Sequence, residues 1–319
     1  MSPASCYKPQ AHRRDLIASR WEERADSIKS LGVRWLIQPL RDYSGRFSPL
    51  KTAVLIGLFV PAGFTAYWYA AGELGARPLT EALHEFGDWG IRFLFLAMAI
   101  TPLSRLWRWP RLLLVRRMVG VMAFAYLAVH LTLYVSDEMF NLIRVASEIV
   151  RRFYLTIGFI AWVGLSALTA TSTDGMVRFM GGRNWVRLHK TIYVIGILAV
   201  THYFLQSKLN EWQPTMLAGF LFWLSAGRVI GEIYPGPNLP PMWLVWLLSL
   251  VAGFGTLLGE ALYFNLAMNV PFERMISAEI STTAGIRPGW AVLSTLVAVL
   301  IVSTLRAFQT RKPQLRPAA

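Results

Sequence analysis

Two histidines inside apolar stretches are the residues of this chain best suited to chemistry. His130 lies within residues 118–136 and His202 within residues 191–207, and an ionisable side chain at such a position is costly and is a functional candidate by default. Both stretches are expected to run in the same direction across a membrane. The histidines lie twelve and eleven residues from the inner ends, which is about 18 and 16 Å along a helix. We therefore expect the two imidazoles to lie at one depth.

Two neutral imidazoles at equal depth on two helices match the requirement of a haem with two axial histidines. The iron takes one nitrogen from each face of the porphyrin. Aromatic and small residues near both histidines, such as Phe124, Ala128 and Tyr203, are suited to flank a flat macrocycle. The alternative interpretation is that both histidines hydrogen-bond across helices and bind nothing.

A third histidine, His189, lies at the inner end of the stretch that contains His202. The thirteen residues between them correspond to about 20 Å and about 140° of a straight helix, so the two rings would not face one partner unless the helix is distorted, for example near Gly196. His189 is placed to hold a second carrier near the inner membrane face. The alternative is an ordinary interfacial histidine between Arg187 and Lys190.

Basic residues at the level of His189 are candidate partners for anionic groups of a cofactor. Arg116, Arg117, Arg183 and Arg187 are suited to bind haem propionates or a flavin phosphate. Retention of positive residues on the cytoplasmic side is an equally simple explanation for each of them taken singly.

The other reactive residue types restrict the function further. His84 follows Glu81 in an acidic stretch and is interpreted as a surface histidine of an outer loop, with a role near the outer haem edge as the alternative, and His12 lies in the N-terminal tail. The single cysteine, Cys6, excludes an intrachain disulfide and a thiolate cluster held by this chain alone. The chain has neither a dinucleotide-binding GxGxxG after a strand nor a Walker loop, so we do not expect it to take hydride from a nicotinamide.

The composition predicts an all-α integral membrane protein. Hydrophobic residues make up 55% of the 319 residues, charged residues only 16%, and the mean hydropathy is +0.42. About 20 apolar residues cross a bilayer, and Arg92 in the second stretch is expected near one end of its span, where it can snorkel. The eight predicted spans are residues 53–71, 89–106, 118–136, 153–171, 191–207, 212–227, 242–259 and 290–305.

The distribution of positive charge predicts the orientation. Twenty-four of the 32 Lys and Arg residues fall in the tails and connections of one side and seven on the other. Both termini of this multi-pass protein are therefore predicted to be cytoplasmic. This topology also accounts for the net charge of +14 without a nucleic-acid partner.

Five regions are expected along the chain. The largest is a six-span haem-binding core, and the others flank or follow it. They are a basic cytoplasmic tail with the spacing of an interfacial helix (1–52), the core (53–231), a Pro-rich linker (232–241), two additional spans (242–305) and a second cytoplasmic tail (306–319).

Four segments resemble a known family. They read RPLTEALHEFGDWGIRFLFLAMAITPLSRL, RRMVGVMAFAYLAVHLTLY, YLTIGFIAWVGLSALTATST and NWVRLHKTIYVIGILAVTHYFLQSK. In order and spacing they are similar to the haem-binding membrane subunit of the bacterial periplasmic methionine-sulfoxide reductase system, within the ferric-reductase-like transmembrane superfamily. By this resemblance His130, His189 and His202 match the haem-associated histidines of the family, and His84 matches the histidine before its second span.

The resemblance implies an electron-transfer subunit with b-type haem, one or two per chain, and in family descriptions FMN. Electrons would come from the quinone pool or a cytoplasmic flavin reductase. They would pass to a periplasmic molybdopterin enzyme that reduces methionine sulfoxide in oxidised proteins and carries the catalysis. A ferric or quinone reductase on the same core and a haem-free transporter or scaffold are the alternatives. The resemblance implies no role for the long N-terminal tail or the last two spans.

Overall fold

The computed structural model describes residues 46–207, 211–234, 240–281 and 285–310. The interfacial helix predicted in the N-terminal tail, His12, Cys6 and the centre of the Pro-rich linker lie outside these residues. The chain divides into two compact units, Met1–Gly57 and Leu58–Ala319. In the first unit the described residues form the beginning of a helix at Pro49. His84, His130, His189 and His202 lie in the second unit.

Helices dominate the described residues. They form eight candidate spans long and apolar enough to cross a membrane, one of which (Gly182–Ser207) comprises α7 and α8, and this confirms the prediction of an all-α integral membrane protein. The helices are α1 (Pro49–Ala71), α2 (Pro78–Leu106), α3 (Leu113–Asp137), α4 (Leu142–Arg151), α5 (Phe153–Ala170), α6 (Asp174–Met180), α7 (Gly182–Lys190), α8 (Ile192–Ser207), α9 (Trp212–Ile233), α10 (Met242–Met268), α11 (Phe272–Ile280) and α12 (Pro288–Thr310).

Helix α2 begins eleven residues before the predicted start of its span, at Pro78 rather than residue 89. Pro78 lies in the first turn, where a proline is favoured because that position needs no backbone N–H donor. His84 is consequently on a helix. The prediction that it lies in a loop is wrong. Arg92 lies fourteen residues after Pro78 in this longer helix, and its expected position near one end of the membrane span stays a prediction.

Four of these helices form a ring that positions the histidines. Helix α2 packs on α3, α3 on α5, α5 on α8, and α8 on α2. His130 is on α3 and His202 on α8, so the two residues lie on opposite helices of the ring. Facing helices of a four-helix arrangement commonly hold a cofactor between them.

The hydroxyl of Tyr126 fastens α1 to the His130 helix. It donates to the carbonyl oxygen of Leu58 at 2.7 Å and accepts from the N–H of Ala62 at 3.0 Å. These backbone groups are four residues apart and would otherwise pair within α1, so the phenol is inserted into the hydrogen-bond ladder of that helix. Tyr126 is one turn before His130 on α3, and this contact helps to fix the helix that carries the histidine.

The C-terminal spans pack on the outside of the ring through α9. Helix α9 contacts α2 and α8 on one side and α10 and α12 on the other, and α10 and α12 pack closely together. A Cβ atom added at Gly253 of α10 would lie 2.8 Å from the Cβ of Leu293 on α12. Small residues at such crossings let membrane helices approach closely.

Candidate functional site

The His130 side chain is fixed by the neighbouring helix α2. Its Nδ1 lies 2.7 Å from the carbonyl oxygen of Leu83. The ring lies over Gly87, where an added Cβ atom would be 2.8 Å from Nδ1. Only a glycine leaves room for the imidazole at this place. His84, next to Leu83, is exposed on the same helix.

The His202 side chain is fixed in the same way by α5. Its Nδ1 lies 2.8 Å from the carbonyl oxygen of Tyr154, and a Cβ atom added at Gly158 would lie 2.7 Å from Nδ1. In both cases a backbone carbonyl and a glycine four residues later form the seat of the ring. Gly87 and Gly158 were not predicted from the sequence to be site residues. Their position in the middle of apolar helices, where glycine is unfavourable, is the signal that could have indicated them.

This arrangement sets the tautomer of both imidazoles. A carbonyl oxygen can only accept, so Nδ1 must carry the proton in each ring, and Nε2 is the basic nitrogen. Neither Nε2 has a hydrogen-bond partner in the part of the chain that the structure describes, and both side chains are half-buried. Metal-bound histidines in proteins almost always donate a hydrogen bond in this way from the N–H of the ring nitrogen that does not bind the metal.

The pair fits a haem with two axial histidines. The two free Nε2 atoms belong to opposite helices of the ring, and each imidazole is oriented by a backbone carbonyl. The described residues contain no group of three or more His, Cys, Asp or Glu side chains arranged to hold another kind of metal site. His130 and His202 are residues that could hold a haem iron between opposite helices of the ring.

A polar network lies beside His202. The side chain of Tyr203 lies beside the carboxylate of Asp88 on α2. Arg92 lies 3.5 Å from that carboxylate, donates to Oε1 of Gln213 at 2.6 Å and lies 4.7 Å above the ring of Trp89. Arg92 is therefore held between α2 and the first turn of α9 by an acidic, an amide and an aromatic side chain.

His189 lies on a separate helix from His202. A single turn residue, Thr191, separates α7 from α8, and its backbone dihedral angles are close to those of a helix. His189 Nδ1 donates to the carbonyl oxygen of Trp185 at 3.1 Å, and the two rings stack with their centroids 3.9 Å apart. Its Nε2 lies 3.4 Å from Oγ of Ser172 at the end of α5.

A basic cavity of about 410 Å³ surrounds His189 at this end of the ring. No carboxylate is among its described lining residues. The cationic residues that line it are Arg105, Arg116, Arg117, Lys190 and Arg228. The cavity suits a planar ligand that carries carboxylate or phosphate groups.

The predicted basic residues divide into two groups. Arg116 and Arg117 line the cavity, whereas Arg183 and Arg187 are exposed on α7 and do not. Arg117 also donates to Asp174 at 2.7 Å, and this contact lowers the pKa of that carboxyl below its usual value. Arg117 lies thirteen residues before His130, and His189 lies thirteen residues before His202. The outer level, that of His130 and His202, therefore has two histidines. The inner level, that of Arg117 and His189, has one.

Comparison with known proteins identifies relatives of the part of the chain that contains the four-helix ring. The family described as ferric reductase like transmembrane component matches residues 86–200. A protein of Rhodospirillum rubrum named protein-methionine-sulfoxide reductase heme-binding subunit MsrQ is 39% identical over 183 residues, which are 56% of this chain and 88% of the relative. Proteins of the same name from Caulobacter vibrioides and Xanthomonas campestris are 39% and 40% identical and are covered to 87% and 85% of their lengths. No solved structure matches this chain.

Proposed function

Because this chain belongs to the MsrQ family of haem-binding subunits of protein-methionine-sulfoxide reductases, we propose that it is a membrane electron-transfer subunit that binds b-type haem between His130 and His202. The observation that carries the proposal is that the two imidazoles have the same surroundings. In each, Nδ1 hydrogen-bonds to a backbone carbonyl oxygen, and the ring packs against a glycine. With Nδ1 hydrogen-bonded to a carbonyl, Nε2 of each ring is the nitrogen that we propose to bind the iron.

The residues of the chain prepare this site before any cofactor binds. The carbonyl groups of Leu83 and Tyr154 hold each imidazole in the tautomer that presents Nε2. Gly87 and Gly158 allow the rings to lie against the neighbouring helices. When bound, haem supplies a one-electron carrier whose iron alternates between the ferric and ferrous states.

The inner cavity is proposed to hold a second carrier, either haem or FMN. His189 would contact the planar group, and Arg116 and Arg117 would pair with its propionates or phosphate. A second haem there would lack a histidine from α3, because Arg117 occupies the corresponding place. Arg187, on the exposed face of α7, remains a predicted contact for the same anionic groups.

The proposed route runs outward across a bacterial inner membrane, with both termini in the cytoplasm. The donor would be the quinone pool or a cytoplasmic flavin reductase. The acceptor would be a periplasmic molybdopterin-dependent reductase that repairs methionine sulfoxide in oxidised proteins. The charge distribution supports this orientation, since positive residues are retained on the cytoplasmic side.

Visible spectra of purified variants test the proposal. We expect a b-type reduced-minus-oxidised spectrum in the wild type, with the outer haem lost in His130→Ala and in His202→Ala, because each removes one axial nitrogen. The control is His84→Ala, an exposed histidine near the same site, which should keep the haem. Pyridine-haem quantification against protein gives the number of haems. A full haem spectrum in both span variants, or no haem in the wild type after expression with adequate haem, would contradict the proposal.

A further inference from the structure

Three glutamates outside the ring are buried around a single arginine. Glu260 lies on α10, Glu279 on α11 and Glu211 directly before α9, and they are 6%, 5% and 7% exposed. Arg287 donates to Glu260, and its Nε lies 3.5 Å from Oε1 of Glu279. Three negative charges would thus face one positive charge if every group were ionised. These residues lie outside the part of the chain that the ferric reductase like family matches.

The carboxyl groups of Glu260 and Glu279 lack hydrogen-bond donors. Oε2 of Glu260 and both side-chain oxygens of Glu279 have no hydrogen-bond partner in the part of the chain that the structure describes. The two carboxyl groups lie beside each other where α11 packs on α10. A buried carboxylate oxygen without a donor is unfavourable, and two ionised carboxylates side by side repel each other. A proton on one of them reduces both costs, because the resulting O–H can donate to the other.

A proton is the ligand that fits this position. The oxygens that lack donors are inaccessible to a molecule of the size of water. Among the described residues, no group of three or more His, Cys, Asp or Glu side chains is arranged to hold a metal ion. A proton needs neither space nor a further ligand, and it supplies the missing donor.

Glu211 and Arg287 are the other charged groups that act on the pair. The Tyr263 hydroxyl donates to Oε1 of Glu211 at 3.1 Å, whereas Oε2 of Glu211 has no donor among the described residues. The negative charge of Glu211 opposes ionisation of the pair, and the positive charge of Arg287 favours it. Because one arginine balances one carboxylate, the pair is most stable with one carboxyl ionised and the other neutral.

Helix α11 is the element best placed to respond to a change of charge in the pair. It has nine residues, is not a candidate span, and has only two buried residues, Met275 and Glu279. The backbone carbonyl of Glu279 accepts from the indole N–H of Trp290 at 2.7 Å. The contact of the Glu279 carboxyl with α10 is therefore one of few that hold α11 against the spans.

We propose that Glu260 and Glu279 hold one proton between them, and that loss of this proton releases α11 from α10. The pair is then a proton-binding site that makes the position of α11 depend on pH. Burial raises the pKa of the Glu279 carboxyl above its ordinary value. The contact is therefore strongest below the ordinary pKa of a glutamate and weakens as the pH rises through the raised pKa.

Infrared spectroscopy of the purified protein tests for the proton. The C=O stretch of a neutral carboxyl is separate from the bands of an ionised one. At about pH 6, where an exposed glutamate is ionised, we expect Glu260→Gln and Glu279→Gln each to remove the same neutral-carboxyl band of the wild type. Glu273→Gln is the matched control, because Glu273 is an exposed glutamate of α11 and its loss should leave this band unchanged.

Thiol labelling tests the movement of α11. In a Cys6→Ser background, Met275→Cys places a thiol on the buried side of α11, and Ser277→Cys places one on its exposed side. The ratio of the two labelling rates cancels the pH dependence of the thiol itself. We expect this ratio to rise at least fivefold from about pH 6 to about pH 9, a range in which a buried glutamate can ionise.

The same labelling in charge variants links the movement to the pair. With Glu260→Gln or Glu279→Gln added, the ratio should rise less than twofold, because the amide is neutral at every pH and still donates. With Glu273→Gln added, it should rise as in the wild type. Glu211→Gln removes a negative charge and keeps an acceptor for Tyr263, so the midpoint of the rise should move to lower pH.

The inference is overturned if the neutral-carboxyl band is the same in the wild type, Glu260→Gln and Glu279→Gln. It is also overturned if the labelling ratio of Glu279→Gln rises with pH as that of the wild type does, or if the midpoint in Glu211→Gln does not move to lower pH. The inference goes beyond the proposed function and does not depend on it. The haem content of the same preparations reports separately on the haem site.

Discussion

Each histidine of the outer pair is oriented by a backbone carbonyl rather than by an acidic side chain. The carbonyls of Leu83 and Tyr154 belong to the helices beside α3 and α8, and each comes four residues before the glycine under the ring. A neutral partner suits this position, because a carboxylate at membrane depth would itself need a counter-charge. The histidines were predicted from the sequence, whereas their seats depend on which helices are neighbours.

Gly158→Ala tests the seat of His202. An added Cβ atom would lie 2.7 Å from Nδ1, so the ring must move away from the Tyr154 carbonyl, although alanine is the better helix former. We expect at least a twofold loss of haem per protein, measured by the pyridine-haem assay, with a changed low-spin electron paramagnetic resonance signal. The control is Gly63→Ala, which has open space around it. Haem content and signal equal to those of the wild type would show that the seat is not required.

The helices of the ring and those of the C-terminal pair are held by different contacts. In the ring, histidine and tyrosine side chains bond to the backbone of neighbouring helices. Between α9 and α10, the indole of Trp223 donates to the buried Ser249 hydroxyl at 3.0 Å. Helices α10 and α12 approach closely at Gly253. The extra pair can therefore be weakened without a direct change to the haem site.

Gly253→Ala should separate α10 from α12. The new Cβ atom would lie 2.8 Å from the Cβ of Leu293 and 3.2 Å from its Cα, and the backbone cannot move aside as a flexible side chain can. We expect the free energy of unfolding to fall by about 1–3 kcal/mol in equilibrium unfolding in mixed detergent. The haem spectrum should stay the same.

Gly259→Ala is the control for this change, since it lies on the same helix with no atom within 4 Å of its added Cβ. Its free energy of unfolding should differ from that of the wild type by less than about 0.5 kcal/mol. Equal stability of Gly253→Ala and Gly259→Ala would mean that α10 and α12 do not pack as described.

At the scale of the whole molecule, the functional groups separate toward the two ends of the spans. The basic cavity with His189 lies where α2 and α9 end and α3 begins. The carboxylates Glu211, Glu260 and Glu279 lie near the other end, beyond the level of His202. With the predicted orientation, a basic cytoplasmic site and an acidic periplasmic site stand on either side of the histidine pair.

Labelling of single cysteines tests that orientation. In a Cys6→Ser background, Ala146→Cys on α4 should react with a membrane-impermeant maleimide in intact spheroplasts. Arg111→Cys, between α2 and α3, should react only after the membrane is opened. Both positions are exposed, so a difference in labelling reports the side of the membrane and not burial. The opposite pattern would reverse the predicted topology.

The sequence by itself determined the class of the protein, the eight spans and the candidate histidines. Apolar stretches of span length and ionisable residues within them are local properties, and the bilayer leaves few structures that satisfy the backbone. It also indicated the inner basic residues, of which Arg116 and Arg117 line the cavity and Arg187 does not. The start of α2 was misjudged because its charged first turns do not resemble a span.

Only the tertiary structure decided what each of these residues contacts. The carbonyl and glycine under each imidazole come from residues 43 to 48 positions away in the chain, and hydropathy carries no information about which helices become neighbours. The same holds for the buried acidic pair, where Glu260, Glu279 and Arg287 meet from two helices and a connection. Packing in three dimensions, and not local propensity, brings such residues together.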